Sequence, residues 1–104
     1  MISITLSAIL MLSLTIGCTG SGAGGNTVII GVFEPASGDN GAGGKQETLG
    51  IQYANSKTPT VEIGGTVYNV KLEIVDNQSK TDAAPSAAQK LVSAGSSVIL
   101  GSYG

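Results

Sequence analysis

The side chains able to do acid–base or nucleophilic chemistry here are few. The chain has seven carboxylates, five lysines, three tyrosines and one cysteine, with no histidine and no arginine. Without histidine, the serine–histidine and cysteine–histidine pairs that activate a nucleophile are excluded, as are the usual zinc sites. Two carboxylates could form a hydrolytic pair, but the spacing of Glu34, Asp39, Glu47, Glu62, Glu73, Asp76 and Asp82 singles out no such pair. The chain reads as a non-enzyme with no metal site and no cofactor.

The stretch "GDNGAGGKQ", residues 38–46, follows a strand-like run, a place where phosphates are often cradled on backbone N–H groups. A P-loop needs G-x-x-x-x-G-K-[ST]. Gly38 and Gly43 have that separation, but Gly44 stands where lysine is required, Lys45 comes one residue late, and Gln46 lacks the hydroxyl. The dinucleotide pattern G-x-G-x-x-G fails because Gly41 and Gly43 would need a glycine at Gln46. Sixteen glycines in 104 residues produce such near-misses readily. The loop holds something other than a nucleotide phosphate. A formal charge of −2 and the lack of a basic patch also argue against nucleic acid.

The length allows one small domain. Residues 2–16, "ISITLSAILMLSLTI", are uncharged and apolar or hydroxylic. The run is short for a membrane span of about 20 residues but suits the apolar region of an export signal. It ends in "GCTGSGAGGN". A small residue followed by cysteine at this point resembles the lipobox of bacterial lipoproteins, which implies cleavage before Cys18 and lipidation of its thiol. Gly17 and Ile16 fit that pattern. Thr15 stands where leucine is usual, and no lysine or arginine precedes the apolar run. The alternative is an inert buried cysteine, which the glycines just after Cys18 disfavour. The expected organisation is a signal at 1–17, a flexible tether at 18–26 and a folded segment at 27–104.

Within that segment, "NTVIIGVF" is a nearly continuous β-branched and aromatic run, as in a strand covered on both faces; Pro35 ends it. Residues 45–56, "KQETLGIQYANS", read as a helix packing Leu49 and Tyr53, with Gly50 allowing close approach to a sheet and Glu47 in its first turn. "TVEI" and "TVYNVKLEIVDN" flank Gly64-Gly65 as a hairpin, the second strand alternating Tyr68, Val70, Leu72 and Ile74 with Asn69, Lys71 and Glu73. Ala84, Ala87, Ala88, Leu91 and Val92 form a helical apolar stripe, with Thr81 or Asp82 as cap, Pro85 in the first turn and Gly95 as stop. Val98–Leu100 reads as a short buried strand. Strands alternating with helices predict an α/β, Rossmann-like parallel sheet. Ligands of such sheets lie beyond the carboxyl ends of the strands, where "PASGDNGAGG" and "GSYG" fall. An open sheet with an unpaired edge is expected to continue into a longer chain.

The strand ending "PASG", the helix entry "GGKQETLG", the acidic-amide "VDNQS", the helix "AAQKLVS" and the strand "VILGS" together resemble the start of a type I periplasmic binding protein. The likeness is strongest to the leucine/isoleucine/valine-binding receptors of ABC transporters and covers residues 27–104. It implies an incomplete N-terminal lobe of a two-lobe protein that closes on an amino acid or similar small polar solute. It further implies an ABC permease as partner and an extracytoplasmic location, with the lipid anchoring the protein to the membrane. Ser37 and Gly38 would contact ligand from the first loop, and Gly101, Ser102 and Tyr103 from the last. Gly43 stands where many relatives place an aromatic over the ligand. Each residue also has a plainer reading: turn chemistry for Ser37-Gly38 and for Asp76-Asn77-Gln78, ordinary loop positions for Ser102 and Tyr103. The alternative function on the same fold is the ligand-binding ectodomain of a signalling receptor. A small α/β enzyme would need catalytic residues beyond those present.

Overall fold

The computed structural model describes residues 26–104. The apolar run, Cys18 and most of the expected tether lie outside them. Six elements follow in order: β1 (Thr27–Glu34), α1 (Gly41–Lys57), β2 (Thr60–Ile63), β3 (Thr66–Asp76), α2 (Ala84–Ser93) and β4 (Val98–Leu100). They form one four-stranded sheet in the order β2-β3-β1-β4. β1 pairs in parallel with both β3 and β4, and β2 pairs antiparallel with β3, so the sheet is mixed rather than wholly parallel. The antiparallel edge follows from the Gly64-Gly65 turn. Both glycines have positive φ, +57° and +81°, as a two-residue hairpin of the right twist requires. At the other end of the β1 ladder, the carbonyl of Asn26 already accepts the Asn69 N–H.

Successive strand residues face opposite sides of a sheet, and the two helices take one side each. Ile30, Val70, Leu72 and Leu100 share a small cavity with Ile51, Ala54 and Asn55 of α1. The neighbouring Gly31 faces the other way, where an added Cβ would press on Leu91 of α2 and on Ile99. The large fully buried side chains among the described residues are Val32 on the α1 side of β1, Pro35 just past its end and Leu91 of α2.

α2 has its expected span, and its end is a Schellman motif: the Ser96 N–H donates to the Leu91 carbonyl and the Gly95 N–H to that of Val92. Gly95 adopts φ +83° to permit this. Its start differs from expectation. The cap position is Ala83, neither Thr81 nor Asp82, and no side chain caps the helix.

α1 departs further. It begins at Gly41, not Lys45, so all of the 38–46 stretch from Gly41 onward is helical and Glu47 lies beyond the first turn. Its outward and inward faces are also exchanged. Leu49 and Tyr53 are 63 % and 66 % exposed, and a Cβ at Gly50 would meet open space. The inward residues are Gly41, Gly44, Thr48, Ile51 and Asn55, at helical spacing. Gly44 is the close-approach glycine, since a Cβ there would overlap the carbonyl and ring of Pro35. Mostly short side chains let the helix sit low on the sheet; Ile51 packs inward, while Leu49 and Tyr53 are left outside. β4 was expected to be buried, but Val98, Ile99 and Leu100 are all exposed on this sheet edge.

Candidate functional site

β1 and β4 run parallel, so their carboxyl ends open on the same edge of the sheet, and β3 delivers a third segment there. Three connections meet at this edge: residues 35–40 after β1, 77–83 after β3 and 101–104 after β4. Hydrogen bonds between residues distant in sequence tie them together.

The first tie is Asp76, at the end of β3. Its carboxylate accepts the Ala36 N–H at 2.8 Å, the Ser37 hydroxyl at 2.6 Å and the Gln78 N–H at 2.7 Å. The Ser37 bond, with the backbone donors, holds the Asp76 carboxyl below the ordinary aspartate value. The second is Ser79, whose hydroxyl donates to the Ser37 carbonyl at 2.8 Å and accepts the Asn40 N–H at 3.0 Å. To bring these groups into range, Gln78 and Ser79 both adopt left-handed φ, 61° and 57°, which non-glycine residues seldom take. The opposing Gly38 has φ +77°, and a Cβ there would collide with the Gln78 carbonyl. This turn is held by its partners against its own preference.

The third is buried Asn77. Its Nδ2 donates to the Ser102 hydroxyl at 2.9 Å and its Oδ1 accepts the Ser79 N–H at 3.0 Å. The amide thus joins the β3 turn to the last loop. The fourth is Glu34, at the end of β1, whose Oε2 accepts the Tyr103 N–H at 2.8 Å.

Between these ties lies a cleft of about 240 Å³, lined by Phe33, Asn40, Asn77, Lys80, Ser102 and Tyr103 among others. Phe33 gives it an apolar floor. Hydroxyl, amide and ammonium groups come from three separate segments, the pattern by which a site fixes the orientation of a small polar ligand. Larger grooves lie elsewhere, about 560 Å³ between α2 and β3 and about 440 Å³ between α1 and β3. Ser102 and Tyr103 do not reach either of them.

The five residues expected at a ligand divide into two groups. Ser102 and Tyr103 line the cleft. Ser37 and Gly38 do not line it: the Ser37 hydroxyl is spent on Asp76, and Gly38 makes room for the Gln78 carbonyl. Gly101 lies behind the cleft wall, at φ +129°, against the Phe33 carbonyl and the Glu34 carboxylate. Sequence reasoning did not single out Asn40, Lys80 or Glu34. For Glu34 a signal was present. Val28, Ile30, Val32 and Glu34 alternate along β1, so the carboxylate continues an inward apolar register.

Among the described residues, no group of three or more potential metal ligands gathers, and no helix is long and apolar enough to cross a membrane. Comparison with protein-family models, curated proteins and solved structures finds no match to this chain.

Proposed function

We propose that this chain supplies one wall of the binding cleft of an extracytoplasmic solute receptor, lipid-anchored through Cys18, which delivers amino acids or similar small polar solutes to an ABC permease. The observation that carries this reading is the cleft itself. It lies beyond the carboxyl ends of parallel strands, where ligands of such sheets bind, and it combines the Lys80 ammonium, the Ser102 hydroxyl and the Asn77 amide with Phe33 and Tyr103. The resemblance of residues 27–104 to type I periplasmic binding proteins supports the same conclusion.

In this reading the Lys80 ammonium takes the charged end of the solute, Asn77 and Ser102, bonded to each other, shape the polar wall beside it, and Phe33 and Tyr103 take its apolar part. At about 240 Å³ the cleft is below the roughly 300–1,000 Å³ of pockets that enclose drug-sized ligands. A second lobe then closes over the solute, and the difference in affinity between open and closed forms drives closure.

The test is an amide-resonance titration of the whole chain with each of the common amino acids. Shifts confined to Asn40, Asn77, Ser102 and Tyr103, with weak affinity, are expected. Absence of such shifts for every solute would remove the proposal. Micromolar or tighter binding by this chain alone would instead remove the second lobe from it. For the anchor, Cys18→Ser is expected to move the native protein from the membrane fraction to the soluble one.

A further inference from the structure

Glu34 is 2 % exposed, an unusual setting for a carboxylate. It follows Val28, Ile30 and Val32 on the α1 side of β1, and the wall of the cleft is built directly on it. Its Oε2 accepts the Tyr103 N–H, and its Oε1 lies so close to Gly101 that a Cβ there would press on it. Thus the segment bearing Ser102 and Tyr103 rests on this side chain at two points.

We infer that Glu34 is a positioning residue and a proton-operated latch for the 101–104 wall: ionised, it holds Tyr103 by a charge-assisted hydrogen bond, and on taking up a proton it loosens that wall. An N–H donor bonds an ionised acceptor about twice as strongly as a neutral one. The charged and titratable neighbours set when the change occurs. From α1, the Glu47 carboxyl lies close enough to act electrostatically on Glu34. Lys45 of α1 and Asp76 of β3 line the adjoining groove with it. From the last loop comes Tyr103, which meets it through the main chain. A second carboxyl nearby disfavours ionisation of Glu34. Burial, and to a lesser degree the neighbouring Glu47 carboxyl, lift the Glu34 carboxyl above the ordinary glutamate value of 4.5, with the Tyr103 N–H opposing. The latch therefore changes state at a pH above the ordinary glutamate value of 4.5.

The use of the latch rests on the solute-receptor reading, but its test does not. Amide spectra of the whole ¹⁵N-labelled chain are followed from about pH 7.5 down to about pH 4. The Tyr103 amide is expected to titrate with a midpoint above 4.5. Glu47→Gln should move that midpoint down, and Glu34→Gln should abolish it while the β3 and α2 resonances keep their dispersion. A Tyr103 amide with no titration above 4.5, or a midpoint unmoved by Glu47→Gln, overturns the latch. Should Glu34→Gln not fold, the Glu47→Gln midpoint decides alone. A chain that titrates as described but shifts with no amino acid keeps the latch and loses the receptor reading. One that binds solute at the cleft without a Tyr103 titration does the reverse.

Discussion

The ring of Tyr103 lies on Gly43. A Cβ built at Gly43 would overlap three ring carbons, so the first turn of α1 and the last loop are in direct contact through the absence of a side chain. The aromatic over that spot comes from position 103, on a different segment from the helical turn it covers.

Gly43→Ala is expected to swing the Tyr103 ring aside at a cost of less than about 1 kcal/mol, because the ring is the end of a movable side chain. Gly44→Ala, one residue on, meets the Pro35 carbonyl and ring, which cannot move away without shifting the chain. It should cost about 1–3 kcal/mol, as overpacking does. Urea unfolding of the two variants side by side checks the order, and tyrosine resonances report the ring displacement in the first.

Asp76 predicts an acid-side loss of stability. Its carboxyl titrates below the ordinary aspartate value of 3.8 when folded, so the unfolded chain binds its proton more readily. The stabilisation is complete above that value and disappears as pH falls through the lowered folded one. Asp76→Asn should remove this portion of the pH slope and weaken the clamp by about 1–2 kcal/mol at neutral pH, since the charge-assisted part of three bonds is lost. Denaturant midpoints at several acidic pH values measure both effects. Glu34 acts with the opposite sign: its folded pKa is raised, so its contribution is present below 4.5 and declines as pH rises through the folded value.

Leu91 is fully buried with its Cδ1 over Gly31, in a core of few large side chains. Leu91→Ala should cost about 2–5 kcal/mol. The full range is more than a domain with so small a core is expected to withstand. Thermal unfolding followed by circular dichroism provides the check, and an unchanged midpoint would show that α2 is not held by this contact.

The parts of the fold governed by local pattern were legible in the sequence. Alternation in β3 as far as Leu72, the Gly64-Gly65 turn, the inward Ala87 and Leu91 of α2 and its Gly95 stop each depend on neighbours within a few residues and appear where the pattern puts them. Ile74 and Val92, expected inward, are instead exposed, where neither finds a covering element among the described residues. α1 was misread because hydropathy favoured Leu49 and Tyr53 as the inward face, whereas the sheet selects for small volume at Gly41, Gly44 and Thr48. At the site, the loop positions followed from where strand-like runs end. The clamp could not be read in advance. Its bonds join Asp76 and Ser79 to residues about forty positions away, and no local periodicity encodes such a pairing. Consequently Ser37, expected to face a ligand, has its hydroxyl bonded to Asp76.

The Pro35–Gly44 contact bears on how the cleft can change shape. It seats the start of α1 on the end of β1, and Asp76 and Ser79 bind the loop between them to the end of β3. Floor and two sides are therefore one stiff piece. In the proposed receptor, adjustment to solutes of different size would fall to the 101–104 segment, acting as a single jaw against a fixed anvil. Selectivity among related solutes would then be tuned by substitutions in four residues of the chain, and the sheet beneath could stay as it is.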